Sequence, residues 1–176
     1  MLTDVSPLSL FSKLRELKLV NCSLQDLSPL SSLTALEVLD LTLNPIKDIS
    51  PLSQMTELRE LYLTAYYHTG SAELADYALI STFDKLQRLE LSTADAFDAK
   101  MLQPLSRLTY LRISAPTIEN LAALSGISGL TETGLKHCRR KPPPLICHRW
   151  QCSTSAPMAS LTFQPCRRSP VWRPST

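Results

Sequence analysis

Residues 26–41 read "DLSPLSSLTALEVLDL" and residues 48–63 read "DISPLSQMTELRELYL", the same pattern 22 positions later. Within each copy leucines fall at L-x-x-L-x-L: Leu36, Leu39 and Leu41 in the first, Leu58, Leu61 and Leu63 in the second. Repetition at a fixed period of this length signals a solenoid, in which each unit buries its apolar side only against its neighbours. The same unit opens at Leu14, Leu36, Leu58, Leu86 and Leu108, in steps of 22, 22, 28 and 22, and one more step of 22 reaches Leu130. Its second position is Leu17, Leu39, Leu61, Leu89 and Leu111, and its third Leu19, Leu41, Leu63, Leu91 and Ile113.

Apolar residues also recur between these units. One column holds Leu24, Ile46 and Ile118; another Leu27, Ile49 and Leu121. A third holds Leu30, Leu52, Leu102 and Leu124, and a fourth Leu33, Met55, Phe83, Leu105 and Ile127. Alternation in L-x-L is the period of a strand. Strands this short must pair with neighbouring copies, and a return path of one repeat delivers the chain one strand spacing along, so the sheet is parallel. Ser-Pro-Leu at 6–8, 28–30 and 50–52 shapes the return path, because proline fixes φ. Asp4, Asp26 and Asp48 stand two residues before each Ser-Pro-Leu and are expected to accept local backbone N–H groups.

The composite L-x-x-L-x-L-x-x-N-x-I-x-D-I-S-P-L resembles the leucine-rich repeats, and its 22-residue period with S-P-L resembles the internalin class. It is also similar to the leucine-rich regulatory subunit of protein phosphatase 1. The resemblance covers residues 2 to about 135. It implies an α/β solenoid: a right-handed superhelix with short parallel strands on its concave face and turns, short helices or irregular segments on its convex face. It also implies an asparagine after each strand, satisfying buried backbone groups. Here that column reads Cys22, Asn44, Ala94 and Pro116. Looser coils are expected at Ala94 and Pro116. Fold alone does not fix function, since unrelated binders share this repeat.

Side chains between the strand leucines point away from the core. One outward column is Glu16, Val38, Glu60, Arg88 and Tyr110; the next is Lys18, Asp40, Tyr62, Glu90 and Arg112; a third is Val20, Thr42, Thr64, Ser92 and Ser114. Carboxylates beside Tyr and Arg suit a protein partner, because Tyr and Arg are favoured interface anchors. The first two columns are the expected partner-binding residues. The third repeat is six residues longer than its neighbours. Its segment carries Tyr66, Tyr67 and His68 as loop contacts beside the concave face, and a short helix from about Ala72 to Thr82, capped by Ser71, is expected.

No Gly-rich phosphate loop, H-E-x-x-H or G-x-S-x-G is present. The expected function is therefore non-enzymatic protein binding in a scaffold or regulatory role, with no cofactor, metal or small-molecule substrate. A basic segment followed by a long apolar run is absent at the start, and no run is long enough to span a bilayer, so a cytoplasmic location is expected. The chain begins in mid-repeat, at the equivalent of Leu24, without a capping coil. Either it is a fragment of a longer protein or another chain covers that edge. An internalin-like surface adhesion protein is the alternative reading.

Charge divides the chain. Through Leu135 there are 10 Lys and Arg against 16 Asp and Glu, a net of −6; from Lys136 onward there are 8 Lys and Arg and no acid, a net of +8. Residues 136–176 also hold Cys138, Cys147, Cys152 and Cys166 with Trp150 and Trp172. Cys147 and Cys152 are near zinc spacing, but no second pair follows. The basic residues and tryptophans raise nucleic-acid association as a further alternative. The composition reads foremost as a disordered extension, native or out of frame.

Overall fold

The computed structural model describes residues 5–64, 77–93 and 95–137. Among the described residues eight strands occur in chain order: β1 (Glu16–Lys18), β2 (Val38–Asp40), β3 (Glu60–Leu63), β4 (Arg88–Ser92), β5 (Phe97–Asp98), β6 (Tyr110–Ala115), β7 (Ile118–Glu119) and β8 (Glu132–His137). Six form one parallel sheet in the order β1-β2-β3-β4-β6-β8, and β5 pairs with β7 in a second, two-stranded parallel sheet. The main sheet is in repeat register throughout. Leu17 faces Leu39, Leu39 faces Leu61, Leu61 faces Leu89, Leu89 faces Leu111, and Leu111 faces Thr133. Thr133 marks where the leucine column ends.

The return path is built from 3-10 turns, with no α-helix among the described residues. The sequence favours this for two reasons. First, proline occupies the start of Ser6–Leu10, Ser28–Leu30 and Ser50–Gln54. The carboxylates of Asp26 and Asp48 accept from the backbone N–H of Ser28 and Ser50, both at 2.8 Å, as expected; Asp4 lies outside the described residues. Second, the leucines of the return path recur every third residue, which is the 3-10 period. Leu30 N–H donates to Leu27 O, Leu33 N–H to Leu30 O, and Leu36 N–H to Leu33 O, so each turn brings the next leucine onto the same face. All four are at most 1% exposed. Burying a side chain of this size contributes about 1.5–3 kcal/mol before chain entropy is charged.

Asn44 is the polar pin of the early coils. It is 4% exposed. Its Oδ1 accepts from the N–H groups of Cys22 (2.9 Å) and Leu24 (3.0 Å). Its Nδ2 donates to the carbonyls of Leu19, Leu41 and Thr42. The turns that follow β1 and β2 each hold a left-handed residue, with φ 55° at Asn21 and 62° at Leu43.

The coil at Pro116 is pinned without an asparagine. With Pro116 in place of asparagine, and Ala94 outside the described residues, the main chain itself does the pinning. Strands β4 and β6 run on to Ser92 and Ala115, Thr93 N–H donates to Ser114 O (2.9 Å), and β5 pairs with β7 across the turn. Pairing of Phe97 with Ile118 is a 21-residue offset, one less than the 22 of the strands. The step is reversed at Asn120, which is left-handed (φ 53°) and donates from Nδ2 to Asp98 Oδ1 at 2.8 Å. This slip puts Phe97, 1% exposed, where the plain repeat would put Ala96. Its ring stands edge-on to Tyr77, centroids 5.7 Å apart.

Ala78–Thr82 is also a 3-10 turn, with Ile80 buried in the column of Leu52 and Leu102. The six extra residues of the third repeat thus leave the return path intact. The expected helix start near Ser71 and Ala72 lies outside the described residues, as do positions 138–176 with their four cysteines and two tryptophans.

Candidate functional site

Register turns the outward columns into a surface. Glu16 faces Val38, then Glu60, Arg88, Tyr110 and Glu132; Lys18 faces Asp40, then Tyr62, Glu90, Arg112 and Gly134. All ten residues expected from the sequence therefore lie on one face of one sheet. None of them is fully buried, in contrast with the leucines between them.

The C-terminal half of this face is a connected cluster. Arg88 stacks its guanidinium on the Tyr110 ring, 4.6 Å from the centroid. Tyr110 donates its hydroxyl hydrogen to Glu90 Oε1 (3.0 Å), and Arg112 approaches Glu90 Oε2 at 3.5 Å. Tyr62 donates to Glu60 Oε2 at 2.7 Å. Partial burial, then the Glu60 carboxylate, push the Tyr62 phenol up to about 12. Burial and Glu90 raise Tyr110 in the same direction. Both phenols are hydrogen-bond donors at neutral pH, to Glu60 and Glu90 respectively. The N-terminal half is simpler: Lys18 pairs with Glu16 at 2.6 Å, and Asp40 Oδ1 accepts from Thr42 N–H.

The third column divides. Thr64 and Thr42 share a hydroxyl contact at 3.4 Å, and Val20 is exposed. Ser92 and Ser114 are each 7% exposed, because β4 and β6 continue past the point where the earlier strands turn away. They are not part of the open face. Conversely, a rim column one residue before each strand carries an ion-pair ladder that the outward columns did not include. Glu37 bridges Arg15 (3.0 Å) and Arg59 (3.2 Å), and beyond it Lys85 meets Glu57 at 2.6 Å. Opposite charges one repeat apart, 22 residues in Arg15–Glu37–Arg59 and 28 in Glu57–Lys85, were the available signal. Tyr66, Tyr67 and His68 lie outside the described residues.

Among the described residues, no three His, Cys, Asp or Glu side chains converge as a metal site, and no helix is long and apolar enough to cross a membrane.

Comparison with known proteins agrees with this geometry. Residues 12–54 match the family model described as leucine-rich repeats, two copies. Among solved structures, internalin C2 of Listeria monocytogenes is 28% identical, with a TM-score of 0.66 over 77% of this chain and 57% of its own. Internalin F of the same species is 28% identical, with a TM-score of 0.64 over 78% of this chain and 38% of its own. The chain thus spans less than two thirds of either relative. No curated protein sequence matches it.

Proposed function

We propose that this chain, whose repeats match the leucine-rich repeat model over residues 12–54 and resemble those of the internalins, is a non-enzymatic module that binds another protein on its concave face. The observation that carries the reading is the cluster of Arg88, Tyr110, Glu90 and Arg112 beside Tyr62. These are large side chains already held in one arrangement by their neighbours, so binding would cost little rotamer entropy. Tyr and Arg anchors at the centre of an interface commonly dominate its energy. Mixed charge on the same surface favours a partner with both signs of charge over a polyanion. The role is that of a scaffold or regulator, in which affinity for the partner is the whole activity.

The test is a pull-down with the intact chain and with the Tyr62→Ala/Arg112→Ala variant. Loss of most of the bound partner is expected, with circular dichroism unchanged. Full retention by the variant would refute the concave assignment.

The 28% identity to internalins C2 and F favours a second reading, an internalin-like surface adhesion protein using the same face. Labelling of intact source cells with an impermeant amine reagent separates the two. Labelled chain supports the surface reading, and unlabelled chain the interior one.

A further inference from the structure

The two outward columns carry three cations, Lys18, Arg88 and Arg112. Lys18 pairs with Glu16 and Arg112 with Glu90. Among the described residues no carboxylate forms an ion pair with Arg88. The acids beside it are engaged elsewhere. Glu60, its register partner on β3, accepts the Tyr62 hydroxyl; Glu90, two residues along β4, holds Tyr110 and Arg112. Arg88 is exposed, yet it is fixed by the ring of Tyr110, 4.6 Å below its guanidinium carbon. Burial and Glu60 push the Tyr62 phenol up and Arg88 opposes them, so the guanidinium lies beside both phenols. A stacked arginine uses the face of its guanidinium and keeps its N–H edge for hydrogen bonds in the plane. Tyr110 thus orients the fork without occupying it. Strand β4 has three strands on one side in the sheet and two on the other, which puts Arg88 in the middle of the face.

Resting on the protein-binding reading above, we infer that Arg88 is the residue that selects the partner. Its fork receives one carboxylate, an Asp or Glu side chain of the bound protein, between Tyr62 and Tyr110. A planar fork and a carboxylate match as two parallel charge-assisted hydrogen bonds. The two flanking rings exclude water around the pair, the setting in which an interface arginine dominates binding. Charge complementarity also sets the size of the anion. Glu60 and Glu90 flank Arg88 and repel a phosphate dianion nearly twice as strongly as a single carboxylate.

Selection of a random peptide library on the immobilised full chain tests this. Enriched peptides are expected to share an Asp or Glu at one position and to lose binding to the Tyr62→Ala/Arg112→Ala variant. For one such peptide, Arg88→Gln in the chain and replacement of the acid by its amide in the peptide are measured singly and together. Each alone should weaken binding about ten- to hundredfold, the worth of a charge-assisted hydrogen bond, and both together no more than either. Arg88→Lys keeps the charge but not the fork, and should recover only part of the loss. Arg88 is exposed, so the far-UV spectrum should not change. No enrichment, or enriched peptides indifferent to the double variant, would remove the protein-binding premise and this inference with it. Peptides that need the concave face but share no acid would overturn the inference alone. So would additive losses in the cycle, or tighter binding when phosphoserine replaces the acid.

Discussion

Replacing Asn44 by Ala should destabilise the solenoid out of proportion to the few atoms removed. The side chain satisfies the N–H groups of Cys22 and Leu24 and the carbonyls of Leu19 and Leu41, with a longer contact to Thr42 O. Leu24 is 3% exposed and Leu41 1%, so water does not reach their backbone groups without the coil opening. Each buried group left without a partner costs about 1–3 kcal/mol. The half-buried Cys22 can recover a water, and carbonyls tolerate partial satisfaction better than N–H groups. The summed loss is therefore about 2–4 kcal/mol, set against a total stability of about 5–15 kcal/mol for a domain. Urea unfolding followed by circular dichroism gives the difference from paired midpoints, with unchanged slope as the check that the same unit unfolds. Gln103→Ala, on the exposed convex side, is the control and should change stability by less than about 0.5 kcal/mol. An Asn44→Ala loss no larger than that of the control would refute the pinning role.

Leu61 sits fully buried between Leu39 and Leu89, and Leu61→Ala should cost about 2–5 kcal/mol in the same assay, since neighbouring coils cannot collapse into the gap. Leu43 holds φ 62° where the equivalent residue of the previous coil is asparagine, so Leu43→Asn should stabilise by up to about 1 kcal/mol; a lower midpoint would contradict the strain. Tyr62 is raised from 10.0 to about 12, so folding favours its neutral form. Its contribution to stability is intact below pH 10 and is lost as pH rises towards about 12. Ultraviolet titration should show a late tyrosinate step that disappears in Tyr62→Phe; disappearance of a step near 10 instead would contradict the assignment.

The strand columns were legible because the L-x-x-L-x-L unit fixes both register and facing. Once Leu39 and Leu61 are in, Val38, Asp40, Glu60 and Tyr62 have nowhere to point but out, and the structure places them there. The Ser-Pro-Leu turns were legible for a similar reason, since proline and the preceding Asp act through local geometry. What the repeat concealed was its own irregularity. A one-residue slip buries Phe97, and counting by 22 looks one position too early. The burial of Ser92 and Ser114 follows from main-chain pairing beyond the leucine unit, which side-chain pattern does not encode. The Arg15–Glu37–Arg59 ladder was readable by the same spacing, but it sits outside the L-x-L alternation that defined the face. The pinning of the coil at Pro116 was missed because an absent asparagine removes one solution to backbone satisfaction, not the requirement for it.

Site-specific photo-crosslinking addresses the binding role most directly. A benzophenone amino acid would be placed in turn at Tyr62 and Tyr110 on the concave face, and at Gln54 and Gln103 on the convex face. Each chain would be irradiated in extract of the source cells. A discrete heavier adduct with one protein is expected from positions 62 and 110, and none from 54 and 103. Adducts from the convex positions alone, or equally from both faces, would contradict it.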